Sequence, residues 1–179
     1  MDDKNIISRC LLGDGQAFEM VVNKYQTPLL YFTWSILGDK DEAKDATQDA
    51  FVRSYFHLKS YDPKRSFKTW LYAIAYNRCM DRLREKQSRT RFMKKMEKED
   101  MLTENHENPE KSWEESQQFL MLLRKLNNRE RTAISLKWKE GYLSREIAEI
   151  MGCRESTVRV YILNAKRKLK NFLEKKINV

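Results

Sequence analysis

The sequence predicts an all-α protein of two small helical domains joined by a flexible acidic linker, the second domain carrying a helix-turn-helix. Three observations lead there. The 179 residues include only 5 Gly and 3 Pro, too few breakers for the many turns of a strand architecture. Apolar residues recur at three- and four-residue intervals along most of the chain, the spacing of one buried helix face. Charge falls into blocks: residues 59–95 carry 12 basic and 3 acidic side chains and residues 124–179 carry 15 and 6, whereas residues 1–58 carry 6 and 9, and residues 96–123 carry 2 and 8. Two basic blocks parted by an acidic one point to two separate contacts with a polyanion, each neutralised phosphate releasing counterions.

The elements follow in order. Ile6, Ile7, Leu11 and Leu12, then Phe18, Val21, Val22 and Tyr25, keep helical spacing, with Asp14-Gly15 as a turn between them. Thr27-Pro28 predicts a new start or a kink, and a helix is expected over 29–36. Gly38-Asp39 breaks the chain, and Asp41 is the expected N-cap of a helix over 42–58 that buries Ala43, Ala46, Ala50, Phe51 and Tyr55. A loop, Ser60–Ser66, leads into the strongest helix of this half, expected over 67–85. Periodicity then fades. Glu104–Glu110 is polar and acidic, as a flexible linker reads, and order returns at Trp113. The expected domains are 1–90 and 114–179, with 91–113 as the linker.

The sharpest motif lies near the end. Ala148 is small enough for two helices to cross closely, Gly152 tolerates a left-handed turn, and Val158 packs the second helix back on the first. That spacing is a helix-turn-helix whose second helix is opened by Ser156-Thr157. The first residues of such a helix reach base edges and later ones meet phosphates. Arg154, Ser156, Thr157, Arg159 and Tyr161 are therefore the candidate base-facing group, and Lys166, Arg167 and Lys170 the candidate phosphate group. In the first half, Phe67–Arg84 interleaves aromatic residues with Lys and Arg behind a basic loop, a surface suited to single-stranded nucleic acid. Core packing competes with base stacking at Phe67 and Trp70.

These residues carry a resemblance. Phe67–Arg84 matches F-x-x-W-L-x-x-I-A-x-N-x-x-x-D-x-L-R, a pattern of the extracytoplasmic-function (group 4) sigma factors of bacterial RNA polymerase. Asp41–Phe51 resembles that family's polymerase-docking helix, although Lys44 replaces a usual acid and Asp49 a usual Glu. Leu126–Leu169 is similar to its −35-reading domain, with Leu126-Asn127 in place of Leu-Pro, Ser156 in place of Gly, and Arg159-Val160-Tyr161 in place of Lys-Ser-Arg. The resemblance implies that Asp45, Gln48 and Asp49 meet core RNA polymerase at the clamp helices of β′, with a further contact to the β flap. It implies that Tyr61, Lys64, Arg65, Phe67, Lys68, Trp70, Asn77 and Arg78 hold the melted −10 strand of promoter DNA, a flipped base entering a pocket at 61–67, while the second domain reads the duplex −35 element. A monomer when free, held by an anti-sigma factor, is also implied. The acidic linker is either a plain tether or a segment that occupies the polymerase channel.

Other function classes fit poorly. A dimeric helix-turn-helix repressor leaves Asp41–Phe51 and Phe67–Arg84 unexplained. No Gly-rich phosphate loop or nucleophile–base pair supports an enzyme or a small-molecule substrate. Cys10, Cys79 and Cys153 are scattered, and His57 and His106 stand alone, so neither a metal nor another cofactor is expected. No apolar run is long enough to insert in a membrane, and the acidic start has no signal core, so a cytoplasmic protein is expected.

Overall fold

A computed structural model describes residues 2–96 and 121–177. The described residues form helices and no strand: α1 (Asp3–Leu11), α2 (Gly15–Leu37), α3 (Lys40–Phe56), a 3-10 turn (Leu58–Ser60), α4 (Phe67–Met96), α5 (Asn128–Trp138), α6 (Ser144–Met151) and α7 (Glu155–Ile177). Residues 121–123 are also helical. The linker expected at 91–113 begins inside α4, and the rest of it lies outside the described residues.

Local chemistry explains most boundaries. Asp14 caps α2 by accepting the N–H groups of Gln16 and Ala17, both at 3.1 Å. Asp39 caps α3, taking the N–H groups of Asp41 and Glu42 at 2.9 Å. The cap is thus Asp39 and not Asp41, which lies in the first turn, where its charge favours the helix dipole. Asn127 and Glu130 form a reciprocal capping box at α5. The helix expected over 29–36 is only the second half of α2, which runs through Pro28 without ending. Proline inside a helix costs about 3 kcal/mol. Burial of Tyr25 on one side and Leu29, Phe32 and Ile36 on the other outweighs that cost.

The halves share one core. The buried cluster runs continuously from Ile6 and Phe18 through Leu71, Tyr72 and Ala75 to Tyr142, Ile147, Ala148 and Val158. Helices α1 to α4 pack on one another, α4 lies against α6, and α2 against α5. Polar contacts cross the same seam. Glu140 accepts the Tyr72 hydroxyl at 2.8 Å and pairs with Lys68 at 3.1 Å. The Lys68 ammonium also lies over the rings of Tyr72 and Tyr142, 5.4 and 4.8 Å from their centroids. The Arg131 guanidinium donates to Ile36 O at 3.0 Å, and Arg124 to Gly38 O at 3.2 Å, satisfying carbonyls at the end of α2.

Candidate nucleic-acid interface

The loop before α4 is built around aromatic rings. The Tyr61 ring lies 5.5 Å from Phe67 edge-on and 5.4 Å from Trp70, and Phe67 lies 5.6 Å from Trp70. Tyr61 and Phe67 are buried and Trp70 is half-buried, so the first two act as the floor of the loop. The Tyr61 hydroxyl donates to Arg65 O at 2.6 Å, and Asp62 accepts the Lys64 N–H at 2.9 Å, which fixes the loop's turn. Lys64 and Arg65 project from it into solvent. Asn77, exposed, stands two helical turns beyond Trp70 on the same face of α4. Lys68 turns away from this face to Glu140.

Arg78 also faces elsewhere. It pairs with Asp81 at 2.9 Å and approaches Asp49 to 3.8 Å. It belongs to a ladder in which Glu42, Asp45 and Asp49 of α3 meet Lys86, Arg82 and Arg78 of α4 in antiparallel order, with Asp49–Arg82 at 3.0 Å, Asp45–Arg82 at 3.7 Å and Glu42–Lys86 at 3.3 Å. Asp45 and Gln48 remain exposed. Sequence reasoning missed what continues their face: Val52 and Phe56 of α3 are exposed apolar residues, and Tyr55, expected inside, is half exposed with one edge against Phe18. It also missed that α4 runs on past residue 85, carrying exposed Lys86, Arg89 and Arg91 beyond the apolar pattern.

The helix-turn-helix is α6 and α7. Gly152 ends α6 with φ 61°, the left-handed conformation that its position requires. Ala148 and Val158, on either side of the turn, are both buried in one cluster. The outward face of α7 presents Ser156, Arg159, Arg167 and Lys170, with Arg154 just before it and Lys166 at its edge. Arg159 pairs with Glu155 at 2.7 Å and Lys170 with Glu174 at 3.7 Å. Thr157 is half-buried at the side. Tyr161, expected among the exposed residues, is half-buried at the edge of the core. Its position follows the buried stripe of Val158, Ala165 and Leu169, and its hydroxyl accepts Arg129 at 3.1 Å. On the other side, an open apolar groove of about 310 Å³ is lined chiefly by Leu122, Trp138, Leu169 and Leu173, with Lys166 and Lys170 bordering it. Among the described residues no cluster of His, Cys, Asp and Glu could hold a metal ion, and no helix is long and apolar enough to cross a membrane.

Comparison with known proteins agrees with this arrangement. Residues 21–89 match the family model of sigma-70 region 2, and residues 116–169 that of sigma-70 region 4. The chain is 31% identical to the ECF RNA polymerase sigma factor SigW of Bacillus subtilis over 95% of its own length and 96% of that protein's. It is 30% identical to the ECF RNA polymerase sigma-E factor of Escherichia coli, covering 96% and 94% respectively. In fold it is similar to CnrH, solved with the cytosolic domain of CnrY (TM-score 0.73, 23% identity, 97% of each chain covered). It is also similar to the sigma factor RpoE of Bartonella quintana, solved with the anti-sigma factor NepR (TM-score 0.72, 22% identity, 88% and 96% covered).

Proposed function

Because the chain belongs to the sigma-70 family, as an extracytoplasmic-function sigma factor, we propose that it docks on core RNA polymerase through α3 and holds promoter DNA with α4 and α7. It acts as the polymerase subunit that selects promoters, reading the duplex −35 element and capturing the melted −10 strand. Residues 1–90 form the polymerase-docking and −10 domain, and residues 114–179 the −35 domain. The chain itself carries no catalytic step, and its place of work is the cytoplasm, with the polymerase. An anti-sigma protein is the expected regulator.

One observation carries the docking assignment: Asp45 and Gln48 stand exposed on α3 beside Asp49, in line with the apolar Val52 and Phe56. Charge at the rim and exposed apolar area beside it is the composition of a protein interface. The exposed Lys64, Arg65 and Asn77 around Trp70 support strand capture, since cations follow the backbone while a flipped base takes the aromatic floor. The basic outward face of α7 supports −35 reading. The apolar groove by Trp138, which adjoins that face at Lys166 and Lys170, suits the contact with the β flap.

The test is a one-to-one complex with core RNA polymerase, resolved by gel filtration. The native chain forms it, and Asp45→Arg with Asp49→Arg loses it while keeping the native circular dichroism. Failure of the native chain to bind polymerase from its own host would sink the reading.

A further inference from the structure

Two apolar side chains stand where the basic face of α7 should be polar. At 3.6 residues per turn, Ser156, Arg159, Val160, Leu163, Arg167 and Lys170 share one face, and on it Val160 is 52% and Leu163 67% exposed. Neither belongs to the core, which α7 meets on its opposite side through Val158, Ala165 and Leu169. Neither lines the apolar groove by Trp138. Cations surround them: Arg154 and Arg159 toward the start of the helix, Lys166, Arg167 and Lys170 beyond. A surface of that charge favours nucleic acid over a protein groove as its occupant.

Val160 is the sixth residue of α7, one turn beyond Ser156 and within the part of a recognition helix that reaches base edges. Its isopropyl group neither donates nor accepts a hydrogen bond. In the major groove it cannot read guanine N7 and O6, the cytosine or adenine amino groups, or thymine O4. Against any of these it would strip water from a polar atom and return nothing. The one apolar group that a base pair displays there is the thymine C5-methyl. Resting on the −35 assignment above, we propose that Val160 is a specificity-determining residue of this sigma factor, selecting a thymine in the −35 element by its methyl group, with Leu163 extending the apolar contact one turn further. Ser156, one turn earlier, is left to hydrogen-bond a neighbouring base edge.

The test uses holoenzyme, made from core polymerase and the full chain, and a promoter fragment defined by mapping a transcript start that depends on this chain. Each thymine of its −35 element is replaced singly by deoxyuracil, which removes the methyl and keeps every hydrogen-bonding group. Native holoenzyme should lose about fourfold in affinity at one position, the worth of one buried methyl. Val160→Ala holoenzyme should bind thymine and uracil fragments equally, and Val160→Thr, similar in shape, should retain part of the discrimination. Both variants should assemble with core polymerase as the native chain does, since Val160 supports no core contact. Indifference of native holoenzyme to every uracil, or undiminished discrimination by Val160→Ala, would overturn the proposal. So would variants that weaken assembly with polymerase and leave DNA selection intact, because Val160 would then be a protein contact. If the native chain formed no holoenzyme at all, the −35 assignment itself would fall, and that result precedes any uracil comparison.

Discussion

At the scale of single residues, carboxylates do much of the organising, and pH reports on them. The Arg9 guanidinium donates to Asp14 from Nε at 3.0 Å and from Nη2 at 2.7 Å, while the same carboxylate caps α2. The guanidinium first, and then the two backbone N–H donors, hold the Asp14 carboxyl below its ordinary range. A carboxyl whose folded value is depressed stabilises the fold fully above the unfolded value, near pH 4, and loses that contribution as pH falls through the folded value. The thermal midpoint of Asp14→Ala should therefore lie below that of the native protein by a constant gap at neutral pH. The gap should close as pH falls below about 4, as followed by circular dichroism melts. A gap that persists at pH 2 would mean that the side chain acts through packing instead of charge. Cys79 differs in kind: burial pushes its thiol up to about 12, which suits a core residue and not a nucleophile.

At the scale of elements, the turn of the helix-turn-helix carries the most legible sequence signal and a measurable strain. Any side chain at Gly152 would sit at φ 61°, a conformation that costs a non-glycine residue about 1–2 kcal/mol. An added Cβ would meet nothing within 4 Å, so the cost is conformational and not steric. Gly152→Ala should lower stability by about 1 kcal/mol, read from urea midpoints, and Gly152→Asn by less, because Asn tolerates this region. The same motif could be read from Ala148, Gly152 and Val158 because turn chemistry is local. What failed to be legible was non-local. Pro28 looked like a break, yet packing on both sides carries α2 through it. The apolar stripe of α4 fades after Leu83, and so the helix appeared to end there. It continues to Met96, aided by Glu85 and Arg89 at helical spacing, a polar helix that apolar periodicity cannot detect. Tyr161 looked like part of the reading face because polarity was counted without angle. On the helix it falls at the border of the core face, half-buried, and its hydroxyl accepts a bond from Arg129.

At the scale of the whole molecule, the two reading surfaces are packed together. The −10 and −35 elements lie about 25 base pairs apart, or about 85 Å at 3.4 Å per step. A compact chain of this length has a radius of gyration of only about 16 Å. If both elements are engaged at once, as proposed, the closed arrangement must open along the seam of α4–α6 and α2–α5 contacts. Glu140 is the polar centre of that seam, nearly buried and bound by both Lys68 and Tyr72. Glu140→Ala should weaken the closed form by about 2 kcal/mol, raising the open fraction about thirtyfold. Energy transfer between dyes on the exposed positions Ser88 and Glu149 would report it as a longer mean distance, and an unchanged distance would assign the seam's stability to its other contacts, the apolar core and the Arg131 and Arg124 bonds to α2. The sequence foresaw two halves with a division between them. Their shared core was not legible, because Tyr72, Tyr142 and Ile147 each look like interior residues of their own half.

That seam has a consequence for how the protein behaves among a genome's worth of DNA. The Glu140 carboxylate occupies the Lys68 ammonium as a phosphate would, so a closed chain has already spent one of its cations internally. If only a fraction of free chains is open, the affinity of any site that needs the open form is reduced by that same fraction. Sites that need both halves engaged are weakened by the same factor, while the exposed cations of α7 still meet phosphates in the closed form. The seam thus sets the cost of two-site binding for the free chain, a cost that a partner holding the halves apart would remove.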